Sequence, residues 1–196
     1  MELPFLNREA ELDRLRRALA RPGGALVCVY GRRRLGKSRL VRRLLEGRPS
    51  AYYVGDERDA ALQRAALARE VTTVIPHFDS VTYPDWEELL ARWWREAPAG
   101  SVLALDEFPA LVAHAPELPS LIQKLVDRPG RRNLGLVLSG SSQHMMLGLL
   151  LDSSAPLYGR AREIVRLEPL AASWLVPALG LRGSAAEVAA VEHFAV

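Results

Sequence analysis

Apolar residues along the chain follow two alternating patterns. Largely apolar runs of strand length lie at residues 25–30, 51–54, 101–105 and 134–138, and residues 163–167, interrupted by Arg166, read as the last strand. Between them the apolar positions recur three and four apart, which predicts helices. Leu12, Leu15 and Leu19 share one face, as do Leu40, Val41, Leu44 and Leu45, and Leu118, Leu121, Ile122 and Leu125. Residues 59–74 read as an Ala-rich helix, and Met145, Met146 and Leu149 mark another. Strand and helix alternate throughout, so the pattern predicts an α/β fold with a parallel sheet covered on both faces.

Local signals set the expected boundaries. Asn7 is read as the N-cap of the first helix, with Glu9 and Glu11 in its first turn, and Arg21-Pro22-Gly23-Gly24 stops it. Asp85 and Glu88 have the spacing of a capping box. Trp86, Leu89, Leu90 and Trp93 behind them read as core more than as an aromatic platform, and Trp94 beside that stripe is placed to face a partner. Phe108-Pro109-Ala110-Leu111 reads as a turn, and residues 171–179 as the start of a last helix.

The first strand run ends on Gly31, and Gly31-Arg32-Arg33-Arg34-Leu35-Gly36-Lys37-Ser38 follows without a gap. This is G-x-x-x-x-G-K-S, a P-loop (Walker A), in the strand–loop–helix context that gives the motif its meaning. Backbone N–H groups from Gly31 through Arg39 and the positive end of the following helix face a phosphate chain. Lys37 reaches the β- and γ-phosphates, and the Ser38 hydroxyl ligates Mg²⁺. Lysine occurs in this arginine-rich chain only at Lys37 and Lys124, so a compact cation is kept where it must fit inside a loop.

The third run ends in Asp106-Glu107, two acids at the carboxyl end of a strand, where ligands sit in open α/β sheets. Asp106 is expected to hold Mg²⁺ opposite Ser38, and Glu107 to polarise a water for attack on the γ-phosphate. The pair argues for hydrolysis over transfer to an acceptor. The fourth run closes on Ser139-Gly140-Ser141-Ser142 and should lie beside the Asp106 strand. Its serines either hydrogen-bond the attacking water or γ-phosphate, or cap the next helix. Arg160, in Pro156-Leu157-Tyr158-Gly159-Arg160, either pairs with Glu163 or stays solvated, or else reaches a phosphate of its own or a neighbouring subunit's site.

Composition narrows the rest. A 196-residue chain with a formal net charge of +3 and arginines interleaved with glutamates gives little support for nucleic acid. The one cysteine, Cys28, lies in the first strand run, which excludes an internal disulfide and suits a reducing compartment. His77, His114, His144 and His193 lack metal-ligand spacing, and no G-x-S-x-G elbow occurs. Without a signal peptide or an apolar run of transmembrane length, a cytoplasmic protein is expected.

Together, F-L-N-R-E-A-E-L, V-Y-G-R-R-R-L-G-K-S, L-A-L-D-E-F-P-A-L, L-V-L-S-G-S-S and P-L-Y-G-R resemble the archaeal-type ATPase family, an AAA/STAND-like branch of the P-loop ATPases. The resemblance covers roughly residues 5–170. It implies a three-layer α/β/α sandwich of the additional-strand type, with ATP or ADP and Mg²⁺ as ligands. It also implies that the Asp106 strand lies between the P-loop strand and its neighbour. Phe5 to Arg8 would lie near the adenine, and Ser139 to Ser141 would be a sensor-like strand end. The expected organisation is an ATPase core over residues 1–170, with residues 171–196 beginning a truncated helical lid or a tail. The main reading is a Mg²⁺-dependent ATPase whose turnover drives a conformational switch. Its alternatives are ATP binding without efficient turnover, and a DNA-associated ATPase acting with a separate domain. A protein partner or homo-oligomer is compatible with each.

Overall fold

The computed structural model describes residues 7–128 and 133–170, together with Trp174. Its element order is α1 (Glu9–Ala20), β1 (Ala25–Tyr30), α2 (Lys37–Leu45), β2 (Ser50–Val54), α3 (Ala60–Val71) and a single 3-10 turn (Phe78–Ser80). There follow α4 (Trp86–Glu96), β3 (Val102–Asp106), α5 (Phe108–His114), α6 (Leu118–Asp127), β4 (Gly135–Gly140), α7 (Gln143–Leu151) and β5 (Ala161–Arg166). The expected helix at 171–179 and the tail lie outside the described residues.

The strands form one five-stranded sheet in the order β2-β3-β4-β1-β5, with every neighbouring pair parallel. Burial on both faces explains the apolar runs, because a parallel strand covered on each side has no solvent face to make polar. In β1, Leu26, Cys28 and Tyr30 face a cluster built with α3 to α7, while Val27 and Val29 face a cluster built with α1 and α2. That is the three-layer sandwich. Cys28 is fully buried, and burial pushes its thiol far above its ordinary pKa, so it packs as a small hydrophobe.

One topological expectation is corrected. The Asp106 strand does not neighbour the P-loop strand: β4 is inserted between β3 and β1, pairing with both. It is thus the Ser139 strand that lies next to the P-loop strand, and β3 lies one strand further out.

Three local readings also change. Asn7 does not cap α1; it takes a left-handed φ of 48°, and Arg8 occupies the cap position without a side-chain cap bond. Trp94 is buried with Trp86 and Trp93 in the core between α4 and its neighbours, so it does not face a partner. Phe108–His114 is a helix with Pro109 in its first turn, where the missing N–H costs no intrahelical bond. Asp85 does cap α4, accepting from the Glu88 N–H at 2.8 Å. No helix among the described residues is long and apolar enough to cross a membrane.

Candidate active site

The carboxyl ends of β1, β3 and β4 meet at one point, and the chemistry gathers there. From β1 the chain wraps through Gly31–Gly36 into α2. Gly36 has a φ of 88°, a left-handed conformation that costs glycine little, and it leaves the first N–H groups of α2 without a side-chain cap. Lys37 is 5% exposed despite its charge. Its Nζ folds back to donate to the Arg32 carbonyl oxygen at 2.9 Å, which holds the ammonium inside the loop. Burial lowers its pKa, while the nearby Glu107 and Asp106 carboxylates work the other way and Arg33 adds to the lowering.

Asp106, at the end of β3, is 1% exposed. Burial alone would raise its pKa. Hydrogen bonds from the Ser139, Ser38 and Tyr52 hydroxyls and the Glu107 N–H outweigh that, and the carboxyl group lies below its ordinary value. The Glu107 N–H donates to Oδ1 at 2.9 Å and the Tyr52 hydroxyl to Oδ2 at 2.5 Å; the Ser139 hydroxyl also donates to Oδ1.

Glu107 then takes a left-handed φ of 48° as the cap residue of α5, a costly conformation for a side chain with a Cβ. The strain turns its carboxylate toward β4, where Ser141 donates to Oε2 from both its N–H (3.1 Å) and its hydroxyl (2.8 Å). Gly140 beside it is required by close approach, since a Cβ there would meet Pro109 Cδ at 2.6 Å. The two serines thus serve the two acids, Ser139 holding Asp106 and Ser141 holding Glu107. Neither caps α7, whose cap residue Ser142 makes no side-chain cap bond.

An open cleft of about 500 Å³ lies over these groups. Arg33, Arg34, Gly36, Lys37, Ser38 and Arg39 line it from the loop, and Glu107 and Ala110 from the turn after β3. Gly55, Asp56 and Glu57 complete it from the turn after β2. Those last three, and Tyr52, were missed by sequence reasoning. The available signal was that β2, as a parallel strand, must also point its carboxyl end at the cleft. Tyr52 carries the Arg42 guanidinium over its ring at 4.4 Å, and burial and Asp106 push its phenol up to about 12.

Residues 5–182 match the model of an ATPase domain found predominantly in Archaea. The chain belongs to that family. An uncharacterised protein of Methanocaldococcus jannaschii, MJECL04, is 31% identical over 167 residues, covering 85% of this chain and 36% of its own length. Among solved structures, the Walker-type ATPase paby2304 of Pyrococcus abyssi superposes with a TM-score of 0.68 at 23% identity, over 96% of this chain and 63% of that one. Cdc6p of Pyrobaculum aerophilum gives 0.64 at 21% identity, over 91% and 50%. ORC2 of Aeropyrum pernix, in ADPNP and ADP complexes, gives 0.67 at 18%, over 92% and 52%. These likenesses carry the additional-strand ATPase fold, and the chain spans less than two thirds of the length of each of these proteins.

Of three further residues expected at the ATPase site, Arg8 and Arg160 are described and Phe5 lies outside the described residues. Arg8 is buried beside the P-loop, where Nη2 donates to the carbonyl oxygens of Glu168 (2.6 Å) and Leu35 (3.5 Å) and Nη1 to Glu11 (2.9 Å). It ties the loop to the start of α1 and to the chain leaving β5. Arg160 is not brought to the cleft. It precedes Ala161, which pairs with Leu26 at the amino end of β1, across the sheet from the loop. Its Nε and Nη2 lie 2.9 and 2.8 Å from Asp127 Oδ2, while Glu163, its expected partner, pairs with Arg14 at 2.6 Å.

Proposed function

We propose that this ATPase domain binds Mg·ATP in the cleft and hydrolyses it, with Glu107 as the general base, and that turnover drives a conformational switch. The carrying observation is the position of Glu107: it directly follows the buried Asp106, is turned by a left-handed backbone, and lines the cleft that holds Lys37 and Ser38. A carboxylate so placed can take a proton from a water attacking the γ-phosphate in line, as the bond to the bridging β–γ oxygen breaks and ADP leaves. Lys37 and the loop N–H groups from Gly31 to Arg39 would bind the β- and γ-phosphate charge. Arg33 and Arg34 at the cleft wall add to that field.

Magnesium is tested by the donor set. The Ser38 hydroxyl and the Asp106 carboxylate hydrogen-bond each other, and both offer hard oxygens. Such a pair suits an ion that draws its remaining ligands from phosphates and water, so Ser38 and Asp106 would hold it. When bound, the ion supplies charge stabilisation at the β- and γ-oxygens. Ser139 contributes by fixing Asp106, and Ser141 by fixing Glu107.

A second reading, ATP binding without efficient turnover, is favoured by the saturation of Asp106 with protein donors. Single-turnover hydrolysis of radiolabelled ATP with excess protein and Mg²⁺ decides between them: release of labelled phosphate supports the first, and bound intact ATP the second. The ORC1 protein of Aeropyrum pernix has a structure in complex with DNA, and at 21% identity that likeness carries the fold alone. Stimulation of hydrolysis by duplex DNA, falling steeply with salt, would support a DNA-associated role.

A further inference from the structure

Tyr52 donates to Asp106 from a strand that carries no part of the P-loop or the acid pair. On β2 it pairs with Ala104 of β3, two residues before Asp106, so the phenol leans along the sheet past a small side chain to reach Oδ2. The ring lies on the α2 side of the sheet, half-buried, with the Arg42 guanidinium stacked on it at 4.4 Å.

An ionised carboxylate has about four lone-pair positions. Asp106 receives hydrogen bonds from Ser139, Ser38, Tyr52 and the Glu107 N–H, which fills them. A hydrated magnesium ion needs one of those positions. The Glu107 N–H cannot leave, because its backbone is fixed by the turn into α5. Ser139 is 1% exposed inside β4. Ser38 can ligate through its oxygen and still donate its proton. Tyr52 is the remaining donor, a half-buried side chain on an edge strand.

We propose that the Tyr52 phenol is a latch on the metal site, occupying the acceptor position on Asp106 that a hydrated magnesium ion would use and withdrawing when Mg·nucleotide binds. This rests on the reading of Ser38 and Asp106 as the magnesium site. The latch keeps the buried carboxylate satisfied in the empty protein, where an unpaired charge is costly. Metal binding then has to displace it, so the phenol sets the magnesium concentration at which nucleotide binding tightens.

The test is calorimetric titration of ADP into wild type and Tyr52→Phe at stepped Mg²⁺ concentrations. Phenylalanine keeps the ring beneath Arg42 and removes only the competing hydroxyl. The latch predicts that half-saturating Mg²⁺ falls threefold or more in the variant. An unchanged or higher value in the variant, with wild type still Mg²⁺-dependent, overturns the latch alone. A wild type whose ADP affinity ignores Mg²⁺ overturns the metal-site reading and the latch with it. Tyrosine Cζ NMR of the intact wild-type protein gives an independent check. The Tyr52 resonance, assigned by its loss in the variant, should move when Mg²⁺ is added to the ADP complex, and a stationary resonance contradicts withdrawal.

Discussion

Ser141 holds Glu107 twice, through its N–H at 3.1 Å and its hydroxyl at 2.8 Å, both to Oε2. The contact joins the end of β4 to the turn after β3, and it fixes a carboxylate whose backbone is already strained. Ser141→Ala keeps the N–H bond and loses the other. A hydrogen bond to a charged group contributes about 1.5–3 kcal/mol in general, and this one is only partly shielded from water. A fall of roughly threefold to tenfold in kcat is therefore expected, with ATP affinity unchanged. Steady-state kinetics checks the split, and a change confined to KM would place Ser141 in substrate binding instead.

Lys37 is the second test. Its ammonium is the compact cation inside the loop, already bonded to the Arg32 carbonyl. Lys37→Ala should weaken ADP and ATP binding by roughly 10- to 100-fold, the range of one or two charge-assisted hydrogen bonds. Calorimetry on a variant with unchanged circular dichroism measures it directly.

The strand runs, the P-loop and the acid pair were legible in the sequence because each is contiguous: spacing along the chain is itself the geometry. Strand order was not. The insertion of β4 between β1 and β3 depends on its pairing with β1 across more than a hundred residues, such as Ala25 with Gly135, and no local pattern encodes it. Trp94 lies one residue beside the stripe that spacing marks, and it is buried because α4 packs against both α3 and α6, which covers a wider face. Asn7 misses the cap position because its backbone turns left-handed one residue earlier, and Arg8, at the cap, spends its guanidinium on the Glu168 and Leu35 carbonyl oxygens. Tyr52 carried no motif at all, and only the register of β2 against β3 brings it to Asp106.

Asp106 gives a pH prediction. Hydrogen bonds to its carboxylate hold its folded pKa below the ordinary aspartate value, so its ionised form stabilises the fold above that ordinary value and the contribution is lost as pH falls through the lower, folded one. Asp106→Asn removes this contribution. The melting-temperature gap between wild type and variant should therefore be larger at pH 7 than at pH 3. A gap that widens toward pH 3 would mean the carboxyl group is raised, not lowered, in the folded protein.

Arg160 tests placement. Its pairing with Asp127 is partly exposed and so contributes about 0–1 kcal/mol, a shift of up to a few degrees in melting temperature for a domain of this size. Arg160→Ala should show that small shift and leave ATP and ADP affinities equal to wild type. A narrowed preference for ATP over ADP would bring the side chain back to a phosphate.

Glu107→Gln tests the central claim most directly, because it keeps the side chain's shape and removes the base. Single-turnover hydrolysis of labelled ATP, with nucleotide affinity measured on the same samples, is the measurement. The expected result is ATP bound as tightly as by wild type, with phosphate release slowed by about a hundredfold or more. Wild-type release from the variant would contradict Glu107 as the base that activates the attacking water.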